Sequence, residues 1–307
     1  MGRERLLVLG RLLRLSLAPT ALADVAAGIV LGAGAWSDSL APFALMLGSS
    51  CVYHGAMALN DWADRAVDAR VRPGRPIPSG AIGANTALAL AAAFLAGGPL
   101  VAFLVAPRCG LVLGAVAACA AFYDLFGRGA WLGPLLLGLC RAGNLGLGLT
   151  YASALGAWRP ALLCAPLAYG LYVFLVSRLA RLEDVEPSRY ESGELHPERW
   201  AVAAAFALLV VGAVGTLLGG FQAVSNGAIV LAGFGAYGVC AAVARLRAKR
   251  WSAGDVQRVT GIALRRLLFA SAALALGAGT PTSVVVALVI LCGYPLAYAL
   301  RRVFPPT

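Results

Sequence analysis

Charge is scarce in this chain: only 13% of its 307 residues are Asp, Glu, Lys or Arg, about half of the roughly 25% usual in a soluble domain. A soluble globule is excluded on that ground. Lysine is nearly missing, with Lys249 the single lysine among 25 basic residues. Histidine is confined to His54 and His196, and the seven cysteines, at 51, 109, 119, 140, 164, 240 and 292, include no C-x-x-C pair. No histidine stands near them at ligand spacing, so they read as small core residues rather than a zinc site. Acidic residues number 14, leaving a net charge of +11. That excess lies in short segments between apolar runs, where the positive-inside rule accounts for it, and a nucleic-acid partner is not expected.

Apolar residues are what the chain has, at 60% of the total. Runs long enough to cross a bilayer core fall at residues 16–36, 40–60, 85–106, 109–126, 131–156, 161–181, 200–219, 224–244, 263–279 and 282–300. The expectation is an all-α polytopic membrane bundle of nine to ten transmembrane helices, forming one integral-membrane domain over residues 1–307. Gly277, Gly279 and Pro281 mark either a tight hairpin or an irregular final segment,. A competing reading takes Arg3 to Arg14 as the basic start of a signal peptide cleaved near Ala21-Leu22-Ala23,. The apolar run continues to Trp36, a full span, and favours a retained first helix,.

With the N-terminus inside, the inner connections hold Arg3, Arg5, Arg11 and Arg14, then Arg65 to Arg75, Arg128, Arg178 to Arg199 and Arg245 to Arg266, against Arg108 and Arg159 outside. This asymmetry predicts a cytoplasmic N-terminus, in a bacterial inner membrane. Two inner connections, 60–84 and 177–199, are long and hold nine of the 14 acidic residues.

The first of these carries the chemistry. Asn60, Asp64 and Asp68 are spaced by four, which stacks them on one helix face with slow drift,. Three oxygen ligands without His or Cys suit a hard cation such as Mg²⁺, completed by phosphate oxygens and water. A solvated helix end, with its carboxylates paired to Arg65, Arg70 and Arg72, is the alternative on spacing alone. Position favours a site. The acidic residues stand where a helix leaves the bilayer and are followed by Arg72-Pro73-Gly74-Arg75-Pro76-Ile77-Pro78-Ser79-Gly80, whose prolines predict an extended path and whose arginines can hold phosphate bidentately. Asp61, taken to point about 100° away from the other three around the helix, ranks below them.

Asn60-Asp-x-x-Asp-x-x-x-Asp68 followed by Arg75-Pro-Ile-Pro-Ser-Gly80 resembles the first signature of the UbiA superfamily of membrane prenyltransferases. Ala23-Asp24 through Gly28, Tyr123-Asp124 and Cys140-Arg141-x-x-Asn144 extend the likeness, towards the EboC-like branch. The resemblance implies a UbiA-like bundle around a central cavity, with two acidic segments facing each other across a diphosphate and Mg²⁺. It implies that Asn60, Asp64 and Asp68 bind metal, that Arg72 and Arg75 hold diphosphate, and that Tyr123 and Arg128 stand where the family places a tyrosine and a lysine. In the second signature Ser177 stands at the first aspartate and Asp184 at the next, a reduced metal site in which Arg181 can supply positive charge and Glu183 and Glu186 are substitute ligands or solvated charges.

Among polar residues within spans, Arg141 is expected to contact substrate in preference to a structural pair with Asp124. Asn144 hydrogen-bonds either a ligand or another helix. Asp24 orients an acceptor or an arginine, and His54 reads as a core histidine. The implied reaction is Mg²⁺-dependent prenyl transfer from an isoprenoid diphosphate to a lipophilic or aromatic acceptor among membrane lipid, with Asp64, Asp68, Tyr123 and Arg128 as the catalytic set. The alternatives are a non-catalytic UbiA-like lipid-binding or export accessory protein and, against the placement of polar residues at helix ends, a secondary transporter.

Overall fold

Apolar segments of this length must satisfy their backbone amides internally, and helices are the result. The computed structural model describes residues 2–157, 159–185, 189–190, 195–246 and 251–304. Among these residues twelve α-helices follow in order: α1 Gly2–Leu12, α2 Ala18–Ala33, α3 Ala41–Val71, α4 Ala84–Val105, α5 Pro107–Leu125, α6 Leu132–Ala154, α7 Cys164–Ala180, α8 Pro197–Leu218, α9 Ala223–Ala244, α10 Ala253–Arg265, α11 Leu267–Leu276 and α12 Pro281–Val303. No strand occurs among the described residues. Glu186 and Lys249 lie outside them.

Ten segments are long and apolar enough to cross a membrane: Leu15–Ala33, α3 to α6, Pro160–Ala180, α8, α9, Ala253–Leu276 and α12. The chain is an integral membrane protein, with ten such helices among the described residues. Prolines in the first turn of α2, α3, α5, α8 and α12 start helices where an amide donor is not needed,. Helix α3 spans 31 residues, about 46 Å at 1.5 Å per residue. It therefore outruns a hydrocarbon core of about 30 Å and carries its acidic end beyond it.

The ninth span differs from expectation. It begins at Ala253, ten residues before 263, with an amphipathic helix whose Asp255, Arg258 and Arg265 dilute its hydropathy. Ser252 and Asp255 close that start in a capping box,. At Arg266 the helix tightens: the Arg266 amide bonds to the Ala263 carbonyl at 2.9 Å, and the Tyr172 hydroxyl donates to the same oxygen at 2.7 Å.

Helix α2 sits innermost, with twelve of its 16 residues buried, and it packs on α3, α6, α11 and α12. Its approach to α6 is set by two glycines. A Cβ on Gly148 would lie 2.4 Å from the Val25 carbonyl oxygen, and one on Gly28 would lie 2.2 Å from that of Leu145. Backbones this close bring Asp24 within reach of Arg141 and Asn144. Gly148→Leu should therefore destabilise the protein by about 1–3 kcal/mol through overpacking, lowering its unfolding temperature in detergent; an unchanged temperature would show that the two helices can part at no cost. Large apolar side chains such as Leu104, Phe206 and Phe234 remain exposed on the outer faces, as lipid contact requires.

Candidate active site

Rotation along α3 places four polar side chains on one arc. At about 100° per residue, Asp64 lies about 40° and Asp68 about 80° from Asn60, while Asp61 lies about 100° away. Asp61 is thus only about 20° from Asp68. The ranking of Asp61 below its neighbours is corrected accordingly: drift over two turns carries Asp68 to it. Asp61 and Asp68 are buried, and the Arg75 guanidinium bridges them, at 2.6 Å from Asp68 and 3.4 Å from Asp61.

Arg75 reaches back because residues 72–82 are a stack of turns and not the extended path expected from the prolines. The Ser79 amide bonds to the Arg75 carbonyl, that of Gly80 to Ile77 and that of Ile82 to Pro76. Gly80, at φ 74, supplies the left-handed residue that this reversal needs,. Arg72, by contrast, is exposed. It stands near Glu183, whose carboxyl is pushed upward by burial and by Asp184 while the Arg72 charge and a hydrogen bond from Gln257 oppose that rise.

Two further arginines complete the cluster. Arg14, just ahead of α2, donates to Asp61 at 2.9 Å and to Asn60 at 3.3 Å. It does so from a left-handed backbone, φ 49, a conformation costing a non-glycine residue about 1–2 kcal/mol; its contact with a buried carboxylate offsets that. Arg128, from the linker after α5, pairs with Asp64 and stands 3.9 Å from Asp124, and Asn60 donates to Asp124 at 2.9 Å. The Nε and Nη2 of Arg128 are buried with no hydrogen-bond acceptor. Buried guanidinium donors are rarely left so. Tyr123 lies in the field of Arg181, Asp124, Arg128 and Asp64.

The second acidic segment is arranged differently. Ser177 is buried on α7, Asp184 is exposed, and Arg181 donates to the backbone carbonyl of Arg128. Among the described residues no three Asp, Glu, His or Cys side chains converge to hold a metal ion. Of the expected ligand set, Asn60, Asp64 and Asp68 share the end of α3, where Asn60 bonds to Asp124, Asp64 pairs with Arg128 and Asp68 with Arg75, while Asp184 is exposed beyond α7.

Arg141 pairs with Asp24 at 2.8 Å, not with Asp124, and donates to Thr20 at 2.9 Å. Fully buried Asp24 also accepts from Asn144 at 3.2 Å, Tyr169 at 2.6 Å and Ser271 at 3.0 Å. Asn144 accepts in turn from Ser49 at 2.5 Å. His54 bonds to the Leu13 carbonyl at 2.6 Å, as a core histidine would.

Residues 21–260 match the UbiA prenyltransferase family. The chain belongs to that family. An 84-residue stretch is 38% identical to digeranylgeranylglyceryl phosphate synthase of Ignicoccus hospitalis, covering 27% of this chain and 28% of that protein. The chain thus matches under a third of that curated relative's length. The apo structure of a UbiA homolog from Aeropyrum pernix K1 superposes with a TM-score of 0.63 at 19% identity, covering 83% of this chain and 96% of that one. A UbiA homolog from Archaeoglobus fulgidus bound to GPP and Mg²⁺ gives 0.57 at 16%, covering 87% and 99%. These likenesses establish a UbiA fold.

Sequence reasoning passed over Arg14, which lies 46 residues from its partner on α3 and carries no local motif. It also passed over Tyr169 and Ser271 as partners of Asp24. The available signal for Arg14 was its place among the inner-side arginines flanking the first span.

Proposed function

We propose that this UbiA-family protein transfers a prenyl group from an allylic (poly)prenyl diphosphate to a lipophilic or aromatic acceptor, with Mg²⁺, at the cytoplasmic face of a bacterial inner membrane. The observation that carries this is the inward-turned arginine–carboxylate cluster at the end of α3. Its linked groups are four carboxylates, Asp61, Asp64, Asp68 and Asp124, and three guanidiniums, Arg14, Arg75 and Arg128. One negative charge is left over, so a diphosphate enters favourably only with added cation. Hard oxygen donors without His or Cys fit Mg²⁺, which takes one or two carboxylates and completes its shell with phosphate and water; Asn60 and Asp64 would hold it, with Asp68 behind them. When bound, it supplies charge neutralisation to the leaving diphosphate.

The chain's own groups do the rest. Arg128, already paired with Asp64 and 3.9 Å from Asp124, would turn donors to phosphate oxygens, and Arg75 would hold Asp61 and Asp68 in place behind them,. Tyr123 stands in the field of Arg128 and Asp64 beside it. Arg72 and Arg181 add positive potential at the rim. The acceptor's proton would pass to a carboxylate of the cluster or to the departing diphosphate. Arg141 and Asn144 are proposed as scaffold, since their polar atoms are engaged with Asp24, Thr20, Ala21 and Ser49. Tyr123-Asp124 and Cys140-Arg141-x-x-Asn144 support the likeness to the EboC-like branch.

A second reading is favoured by one observation: Arg181 and Ser177 occupy the second signature, and Asp184 is exposed. On this reading the protein binds prenyl diphosphate without turning it over. Purified protein given labelled geranyl, farnesyl and geranylgeranyl diphosphates with membrane lipid extract separates the two. Prenylated product that disappears with EDTA and returns with Mg²⁺ is expected; binding with no product from any donor would favour the accessory role.

A further inference from the structure

A second group of arginines lies along α12. Steps of four and seven residues stay on one helix face, so Tyr294, Tyr298, Arg301 and Arg302 form a single stripe running to the end of that helix. The facing helices add two more cations. Arg266, at the join of α10 and α11, lies over the rings of Phe269 at 4.8 Å and Tyr294 at 5.7 Å, and the charge of Arg265 bears on Arg301. Arg302 rests on Tyr298 at 5.1 Å, and Tyr298 is 60% exposed. On the other flank Gly238 of α9 leaves the room Arg266 needs, since a Cβ there would lie 2.3 Å from its Nη2. The result is a groove between α9 and α12, floored by α10 and α11 and open on the outer surface.

Four guanidiniums gathered in this way repel one another unless an anion offsets them. Among the described residues no carboxylate forms an ion pair with Arg265, Arg266, Arg301 or Arg302. The Nε of Arg266 is buried without an acceptor. The sequence between α9 and α10 at 247–250 reads Arg-Ala-Lys-Arg, and after Phe304 it reads Pro-Pro-Thr, so neither segment has an acidic side chain to offer. A second copy of the chain offers none within the bilayer: the carboxylates of the spans are buried, or paired as Asp64 is with Arg128 and Glu198 with His196.

We propose that this groove holds an anionic phospholipid of the leaflet in which α12 ends, its phosphate on Arg265, Arg301 and Arg302 and its glycerol ester oxygens on Arg266. Basic clusters at helix ends attract acidic headgroups, and arginine forks match phosphate oxygens. Tyr294, beneath Arg266, lies seven residues or about 10 Å deeper along α12 than Arg301, so phosphate and ester groups are met in the order in which a phospholipid presents them. The site is independent of the prenyl-transfer reading: none of its residues belongs to the acidic cluster, and the lipid is a bound neighbour and not a reactant.

Native mass spectrometry of the full-length protein in dodecyl maltoside, titrated with dioleoyl phosphatidylglycerol or dioleoyl phosphatidylcholine, provides the test. Phosphatidylglycerol should bind at least about tenfold more tightly. Arg302→Gln, at the exposed end of α12, should weaken phosphatidylglycerol about fivefold, the loss for one arginine near a headgroup, and phosphatidylcholine by less than about twofold. Arg266→Met should weaken both lipids alike, by about tenfold for one charged hydrogen bond, because both carry the ester oxygens. Arg70→Gln, exposed on α3, should change neither. Equal affinity for the two lipids, or full phosphatidylglycerol affinity in Arg302→Gln and Arg301→Gln, would overturn the proposal. So would an equal loss in Arg70→Gln, since net charge alone would then account for the preference. Displacement of the lipid by millimolar inorganic phosphate would overturn it too, a free anion being the occupant.

Discussion

Asp64→Asn should reduce prenyl transfer by about 10²–10³-fold, the size of effect seen when one charge-stabilising group is taken from a preorganised site, with little change in thermal stability. The contrast with its neighbours is the informative part. The Asp64 side chain is 27% exposed and pairs with Arg128 at 31%, and ion pairs that open to solvent contribute little to stability. Asp61 is buried beneath both Arg14 and Arg75. Asp61→Asn strips charge from a desolvated cluster and should cost about 3–5 kcal/mol, so that activity and unfolding temperature fall together. Labelled-donor turnover and thermal unfolding of the purified variants decide the matter. An Asp64→Asn protein keeping more than a tenth of wild-type turnover would remove Asp64 from the catalytic set.

The second large effect concerns stability. Asp24→Leu should destabilise the protein by about 3–5 kcal/mol, because it leaves the Arg141 guanidinium within the bundle without its counter-charge and removes the acceptor for Tyr169 and Ser271,. Pairing that change with Arg141→Met should recover much of the loss, since an apolar replacement of both partners removes the buried charge altogether. Activity of the double variant then separates scaffold from substrate contact. A stable protein with wild-type turnover places Arg141 in the scaffold, whereas a stable but inactive one returns it to the substrate site. Asp24→Leu with an unchanged unfolding temperature would show that Arg141 finds another anion.

These residues also show what a sequence discloses. The common face of Asn60 and Asp64 was legible because it depends only on helical rotation between near neighbours. Asp61 was misjudged by measuring its angle from Asn60 alone, when rotation over seven residues returns it almost to Asp68. Arg14 needed tertiary knowledge, since nothing near it in the chain announces a partner on α3. The Arg141 pairing could have been found by depth: Arg141 lies nine residues into the span opening at Leu132, and Asp24 nine into the one opening at Leu15, about 14 Å in both cases at 1.5 Å per residue. Asp124 lies at the rim, one residue from the end of α5. The number of spans was legible from hydropathy, but the start of the ninth was not, because the charged face of α10 hides a helix that continues the span. The turns after Arg72 escaped because proline restricts φ without dictating that successive residues extend.

The burial of α2 has a consequence for biogenesis. This helix is synthesised well before its partners: its carboxylate finds Arg141 only after 117 further residues and Ser271 only after 247. Until then Asp24 faces either hydrocarbon or the insertion apparatus, and an uncompensated acid at that depth is costly. Its charge is compensated only once α6 and α11 stand beside α2.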